Sequence, residues 1–236
     1  MEKSAKINVK NYRNIVVLTG AGISVASGIA PFRGPGGTWT EKDIDECATA
    51  QALRRDPRKV WEAFAFVRDK ANKVEPNAAH KALAELESKH PNTWILTQNI
   101  DGLHQKAGSH NVIELHGTIH RSQCTRYCSD AFEDKAIEFH NCEKCGAPLR
   151  YDIVLFNENL DSEVIYKSRD LLEHADLFLV VGTSGIVYPA AGFVPVAKHA
   201  VAHVVIVNLE ELHYGKGIEQ INGKAEEILP SLFDYT

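Results

Sequence analysis

One stretch constrains this chain more than any other. Ile15-Val16-Val17-Leu18 runs through Thr19 into Gly20-Ala21-Gly22-Ile23-Ser24. Short, uninterrupted, β-branched apolar runs make strands that are buried on both faces. A strand that stops at glycines and opens into a helix is how α/β folds hold a nucleotide. The glycines let the backbone turn tightly and approach a phosphate, and N–H groups at the helix start point at the anion. The fingerprint G-x-G-x-x-G is incomplete: Val25 holds its third glycine position, and the next glycine is Gly28. No acidic residue closes an obvious second strand. Taken alone, Gly20 and Gly22 suit an ordinary strand-to-helix turn as well as a nucleotide site.

Further strands are predicted at Thr93–Thr97, Val112–Leu115, Ile153–Phe156, Leu177–Val181 and His203–Val207. Between them lie helical patterns at Ala50–Arg55, Pro57–Asn72, Pro76–Ser88, Glu163–His174, Ala190–Ala200 (interrupted by Pro195) and Ala225–Phe233. A short helix is expected over residues 2–12. Alternating strands and helices predict an α/β fold with a doubly wound parallel sheet. Pro57 suits a first helical position. Val60, Phe64, Val67 and Ala71 then form one apolar face, which plain core packing explains. Three glycines and a proline between Gly34 and Trp39 predict a mobile loop. Phe32 and Trp39 stand ready to cover whatever the glycines bind; alternatively Trp39 is only a buried anchor. The polar clusters Gln98-Asn99-Ile100-Asp101, His116-Gly117 and Gly182-Thr183-Ser184 each follow a strand. In a parallel sheet that is the C-terminal edge, where ligands collect.

Residues 118–150 change character, being polar and poor in apolar runs. They hold four of the five cysteines, as Cys124-x₃-Cys128 and Cys142-x₂-Cys145. The N-terminus carries charge without a following apolar core, so no signal peptide is read and a cytoplasmic protein is expected. Paired cysteines in that setting predict a structural zinc site rather than disulfides, loose thiols or a redox pair. Gly146 frees backbone N–H groups to face the sulfurs, and His140 is a lesser ligand candidate. Cys47 reads as a structural or surface thiol. The length of 236 residues suits one large domain, 1–117 with 151–236, and a small zinc module at 118–150. A helical part of that small domain is drawn from about 34–75. The net charge of −5 speaks against binding nucleic acid by phosphate neutralisation, and no apolar run reaches membrane-spanning length.

Together, in this order, these motifs resemble the sirtuin family of NAD-dependent protein deacylases, from about Asn14 to Pro230. The resemblance implies a Rossmann-like domain that binds NAD in inverted orientation, with a small inserted zinc ribbon. It implies a reaction in which an acyl-lysine carbonyl oxygen displaces nicotinamide from the ribose. The products are free lysine, nicotinamide and O-acyl-ADP-ribose. On this resemblance His116 is the base, a role that suits an imidazole at neutral pH. Asn99 orients ribose and water, and Asp101 holds the carboxamide. Gly20, Ala21, Gly22, Ile23, Ser24, Phe32, Arg33, Trp39, Gln98 and Ile100 line the NAD site. Gly182, Thr183 and Ser184 meet phosphate and ribose. Asn208, Leu209, Glu210 and Ala225 stand at the adenosine end. Val154 and Phe156 wall an acyl-lysine tunnel on a strand that pairs with the substrate peptide.

Val60-Trp61-Glu62 and Val187-Tyr188-Pro189-Ala190-Ala191 look most like the desuccinylase-type branch. Its acyl-reading Tyr and Arg are here Phe64 and Val67, so an uncharged acyl group is expected, acetyl or longer. The adjacent Arg68 rescues an acidic acyl group only if the helix is turned. A further departure is Asn157, where the family has glycine. Acyl-lysine proteins are the expected partners of a monomer. An NAD glycohydrolase or ADP-ribosyltransferase, and a non-catalytic NAD-sensing module, stay open as alternatives.

Overall fold

The computed structural model describes residues 6–32, 36–183, 192–212 and 217–236. It opens with β1 (Ile7–Asn8) and a 3₁₀ turn (Val9–Asn11). No α-helix forms over 6–12, where β1 pairs in parallel with Phe233–Asp234 near the other end of the chain and only the short 3₁₀ segment follows. Next comes β2 (Ile15–Thr19), wholly buried. Its side chains alternate between two cores. Ile15 and Val17 enter one, and Val16 and Leu18 enter the other. The glycines lead into a 3₁₀ helix (Ala21–Ser27) rather than an α-helix. Glycine, serine and valine in so short a segment are weak α-formers.

Three helices follow: α1 (Glu41–Cys47), α2 (Ala50–Arg55) and α3 (Pro57–Lys73). A capping box between Thr40 and Asp43 starts α1, which the apolar spacing had not revealed. Pro57 does begin α3, with Asp56 as its cap. Asn77 caps α4 (Ala78–Lys89), and its Nδ2 also donates to Ile23 O at 2.8 Å. One side chain thus ties the glycine turn to a helix. β3 (Thr93–Thr97), the short α5 (Leu103–Lys106) and β4 (Val112–Glu114) complete this half.

A small antiparallel sheet then departs and returns: β5 (Gly117–Cys124), β6 (Phe132–Glu133) and β7 (Leu149–Ile153). The strand expected at Ile153–Phe156 is displaced, since β7 ends at Ile153. Beyond it the N–H groups of Val154 and Phe156 bond to His116 O and Ala48 O, and that of Leu155 to the Glu158 carboxylate. Only Phe156 keeps a strand-like pairing, an isolated parallel bridge with Thr49. The chain continues with α6 (Ser162–Glu173), β8 (Leu177–Val181), α7 (Phe193–His199), β9 (His203–Asn208), β10 (Glu219–Asn222), α8 (Ala225–Leu232) and β11 (Phe233–Asp234).

The main sheet has six strands in the order β10-β9-β8-β2-β3-β4, every adjacent pair parallel. Side chains of α4 and α8 cover one face, and those of α6 and α7 the other. This is the doubly wound, Rossmann-like arrangement. From β2 the order runs outward to β3 and β4 on one side and to β8, β9 and β10 on the other. The C-terminal ends of β2 and β8 therefore form the topological switch point, where such sheets place ligands. A third core joins α1–α3 to the small sheet, with Trp61, Phe64 and Tyr151 at its centre.

Candidate active site at the switch point

Two glycine turns interlock where β2 and β8 end. Gly20 N donates to Val181 O at 3.0 Å, and Gly22 N to Gly182 O at 2.8 Å. A Cβ on Gly20 would lie 2.8 Å from Gly182 O, and one on Gly22 2.8 Å from Gly182 Cα. Gly182 itself has φ +58, and its Cβ would strike Ile23 N at 2.5 Å. The smallest residue is thus required on both sides of the seam. Ala21 and Ile23 are carried on this turn, Ile23 buried. Thr183 sits beside it and accepts from Gln98 Nε2 at 3.1 Å.

The ends of β3 and β4 supply the polar groups. Asn99 Nδ2 donates to Gly20 O at 3.1 Å and to Ser24 Oγ at 3.2 Å. Ser24 Oγ in turn donates to Asp101 Oδ2 at 2.7 Å. Leu103 N donates to Asp101 Oδ1 at 3.0 Å. Burial nevertheless pushes the Asp101 carboxyl above the usual carboxylate range. His116 lies just past β4, half-buried, and its Nδ1–H donates to Gln98 O at 2.9 Å. That bond fixes the tautomer, because a carbonyl only accepts, so Nε2 carries the lone pair. Burial lowers the His116 pKa below its ordinary 6.5, against the raising effect of the Gln98 bond. Ile100 is held in the same turn, its carbonyl taking Ile119 N at 2.9 Å.

An aromatic wall faces this edge. Phe32 stacks on Trp39 at 5.3 Å and meets Phe156 at 5.7 Å, and Trp39 meets Phe64 at 5.1 Å. Phe64 is 2% exposed, while Val67, Val154 and Phe156 are half-buried. Arg68 is not a spare cation. It is fully buried and donates to Ile119 O, Ala136 O, Arg121 O and Ser122 Oγ at 2.7 to 3.2 Å. Turning it toward an acyl group would break this set, so the rescue anticipated from its sequence position is removed.

At the far end of the edge, Asn208 closes β9 and takes Gly223 N at 2.9 Å; Leu209 and Glu210 are exposed. Ala225, buried, opens α8. Arg33 and Ser184 lie outside the described residues, as does the segment 187–191.

The four module cysteines converge, their sulfurs all within 4.8 Å of one another. Cys124–Cys145, Cys128–Cys142 and Cys128–Cys145 approach to 3.4–3.5 Å. A tetrahedral zinc with about 2.3 Å bonds sets its sulfurs about 3.8 Å apart. The donor set therefore fits zinc, with no position left for a reacting water. His140 makes no part of this group.

Sequence reasoning passed over two buried histidines behind the site. His80 Nε2 is 3.5 Å from Ser24 Oγ, and His104 Nε2 is 2.9 Å from Thr19 Oγ1. Their rings lie 5.0 Å apart. An isolated histidine in a helical pattern has no spacing signal, so only burial reveals the pair. Burial lowers His80 to about 4 and His104 to about 3. Both are folded as neutral rings, whereas an unfolded imidazole titrates near 6.5. The stability they confer is complete above pH 6.5 and lost as the pH falls toward 4. Denaturant midpoints measured across that window should fall on acidification, and His80→Gln should flatten the slope; equal slopes would refute the assignment.

Known proteins share this arrangement. The Sir2 family profile matches residues 20–189. The "NAD-dependent protein deacylase" of Aquifex aeolicus is 43% identical over 226 residues, 94% of this chain and 95% of its own length. A solved Sir2 homolog–NAD complex is 37% identical with a TM-score of 0.87, covering 95% of this chain and 90% of that one. A Sir2–p53 peptide–NAD⁺ structure is 32% identical with a TM-score of 0.80, covering 94% and 92%.

Proposed function

The chain belongs to the Sir2 family of NAD-dependent protein deacylases, and on that footing we propose that it removes uncharged acyl groups, acetyl foremost, from lysine with His116 as the base. NAD-dependent deacylation of protein substrates is the family's activity and this chain's. The observation that carries the residue assignment is the tautomer of His116, pinned through Nδ1 at the switch point beside Asn99, Asp101 and the glycine seam.

The site suits the co-substrate. The glycines let the two turns close on each other, where a Cβ would strike the opposite backbone, and Ser24, Asn99, Asp101 and Thr183 converge as hydrogen-bonding groups. Bound NAD supplies the ribose carbon that receives the acyl oxygen as nicotinamide departs. The chain's own residues do the rest. His116 Nε2 takes a proton from a ribose hydroxyl. Asn99, with its amide nitrogen committed to Gly20 O and Ser24 Oγ, presents Oδ1 as an acceptor. Asp101, held by Ser24 and Leu103, orients the carboxamide. Arg33, Ser24, Thr183, Ser184 and the Asn208–Glu210 and Ala225 edge take the remaining nucleotide contacts. Phe32 and Trp39 exclude water from the reacting face. Zinc holds the module and supplies no catalytic step.

Phe64, Val67, Val154 and Phe156 form the acyl side in this reading. With its hydrogen bonds committed to the small sheet and its link, Arg68 is not offered to an acidic acyl group. A carboxylate buried there unpaired costs several kcal/mol. Acetyl-lysine peptide should be cleaved at least about tenfold faster than the succinyl peptide, each 1.4 kcal/mol being a factor of ten. The reverse order in a kcat/KM panel would refute the apolar pocket. Nicotinamide release measured with and without acyl peptide separates deacylation from glycohydrolysis; release independent of peptide favours the latter. We take the chain to act as a cytoplasmic monomer without a nucleic-acid partner. Among the described residues no helix is long and apolar enough to cross a membrane.

A further inference from the structure

We infer that Arg68 is a positioning residue, through which the four-cysteine module holds the acyl-facing side of α3 in place. The inference rests on the reading above that Phe64 and Val67 face the acyl group.

Arg68 sits one helical turn beyond Phe64, on the same side of α3. It is 0% exposed. Every acceptor around its guanidinium belongs to the module. Ile119 O, Arg121 O and Ser122 Oγ lie on β5, the strand that enters the first cysteine knuckle. Ala136 O, and the Asp134 carboxylate at 3.3 Å, lie on the link between the two cysteine pairs. Asp134 is itself fixed, accepting from Ser122 Oγ at 2.6 Å and Ala136 N at 2.8 Å. A second tie runs to the same link, where Trp61 Nε1 donates to Ile137 O at 2.8 Å.

The Arg68 guanidinium also lies over the Tyr151 ring at 4.2 Å, and the Phe64 ring meets Tyr151 at 6.3 Å. The orientation of α3 that satisfies the arginine is therefore the one that aims Phe64. The planar fork suits several fixed carbonyls at once; a lysine ammonium would keep the charge and lose that geometry. If the module loosens, a buried guanidinium loses its acceptors and must move to water. The helix that carries it moves as well. The glycine seam supplies none of the acceptors of Arg68 and has no reason to follow.

The test uses the full zinc-loaded chain and Arg68→Lys, alone and with Phe64→Ala. Expected for Arg68→Lys are a rise of about tenfold in KM for acetyl-lysine peptide, an NAD KM within about twofold of the parent, and faster zinc loss to a chelator. In the Phe64→Ala background, Arg68→Lys should raise the peptide KM no further. Faster zinc loss with an unchanged peptide KM overturns the inference alone. A parallel rise of both KM values, additive with Phe64→Ala, also overturns it, in favour of a merely structural arginine. Phe64→Ala that leaves peptide KM and acyl preference untouched overturns the pocket reading and the inference with it. Should Arg68→Lys not fold, the unmodified chain decides. Progressive chelation followed calorimetrically should abolish acetyl-lysine peptide binding before NAD binding, and simultaneous loss counts against the coupling.

Discussion

Replacing His116 with alanine is expected to slow acyl-peptide turnover by about 10²–10⁴-fold, the usual worth of a positioned general base. NAD affinity, zinc content and the thermal midpoint should stay near the parent's. The side chain is half-buried, and its one bond to Gln98 O is worth about 1 kcal/mol. The loss is therefore catalytic rather than structural. The neutral ring is the active form, and burial depresses its pKa. Activity should thus be complete above the ordinary histidine range and fall only as the pH drops through the lowered value. The acid limb of kcat/KM should have its midpoint below 6.5. Turnover that survives His116→Ala removes the residue from its role. A midpoint at or above 6.5 instead contradicts the burial of the ring.

Cys142→Ala acts on a different part of the molecule. Structural zinc contributes about 10–16 kcal/mol of apparent binding energy in small thiolate modules. Three remaining sulfurs cannot close the tetrahedron. Cys124 and Cys142 are also buried in the core that contains Trp61, Phe64 and Tyr151. Loss of the ion is therefore expected to reach α3 and the aromatic wall, not only the module tip. Purified Cys142→Ala should contain no stoichiometric zinc and unfold at a clearly lower temperature, whereas Cys47→Ala should keep its zinc. A variant with full zinc content and an unchanged midpoint would exclude Cys142 as a ligand.

The central strands were legible because burial on both faces leaves an uninterrupted apolar run. Thr93–Thr97 and Leu177–Val181 coincide with β3 and β8, and Ile15–Leu18 falls one residue short of β2. The edges were not. β10 is half-exposed and polar in part, and β1 and β11 span two residues each. Such strands exist through their neighbours rather than through any pattern of their own. The glycine turn was placed in the sequence, but its 3₁₀ form was not, since local weakness in helix propensity decides between the two. In the site, the clusters that hold Asn99, Asp101 and His116 stood out by following strands, while the roles of the three residues came from the family resemblance. His80 and His104 carry no spacing signal. Arg68 stayed open in the sequence, a cation next to Val67 that would serve an acidic acyl group only if the helix were turned; three-dimensional burial shows where its hydrogen bonds go.

The small sheet leaves the main body and comes back through one doorway. Gly117 stands opposite Ile153, and Val154 N returns to His116 O at 2.9 Å. The closeness of that passage demands glycine, since a Cβ on Gly117 (φ +72) would lie 2.1 Å from Asp152 O. The insert is tied back beyond the jambs as well, by Ile119 N to Ile100 O at 2.9 Å, by His120 Nε2 to Asp101 O at 2.9 Å and by the bonds of Trp61 and Arg68. The tip of the insert can therefore grow or shrink, whereas a change that reaches β5 is passed to the turn carrying Asp101 and to α3.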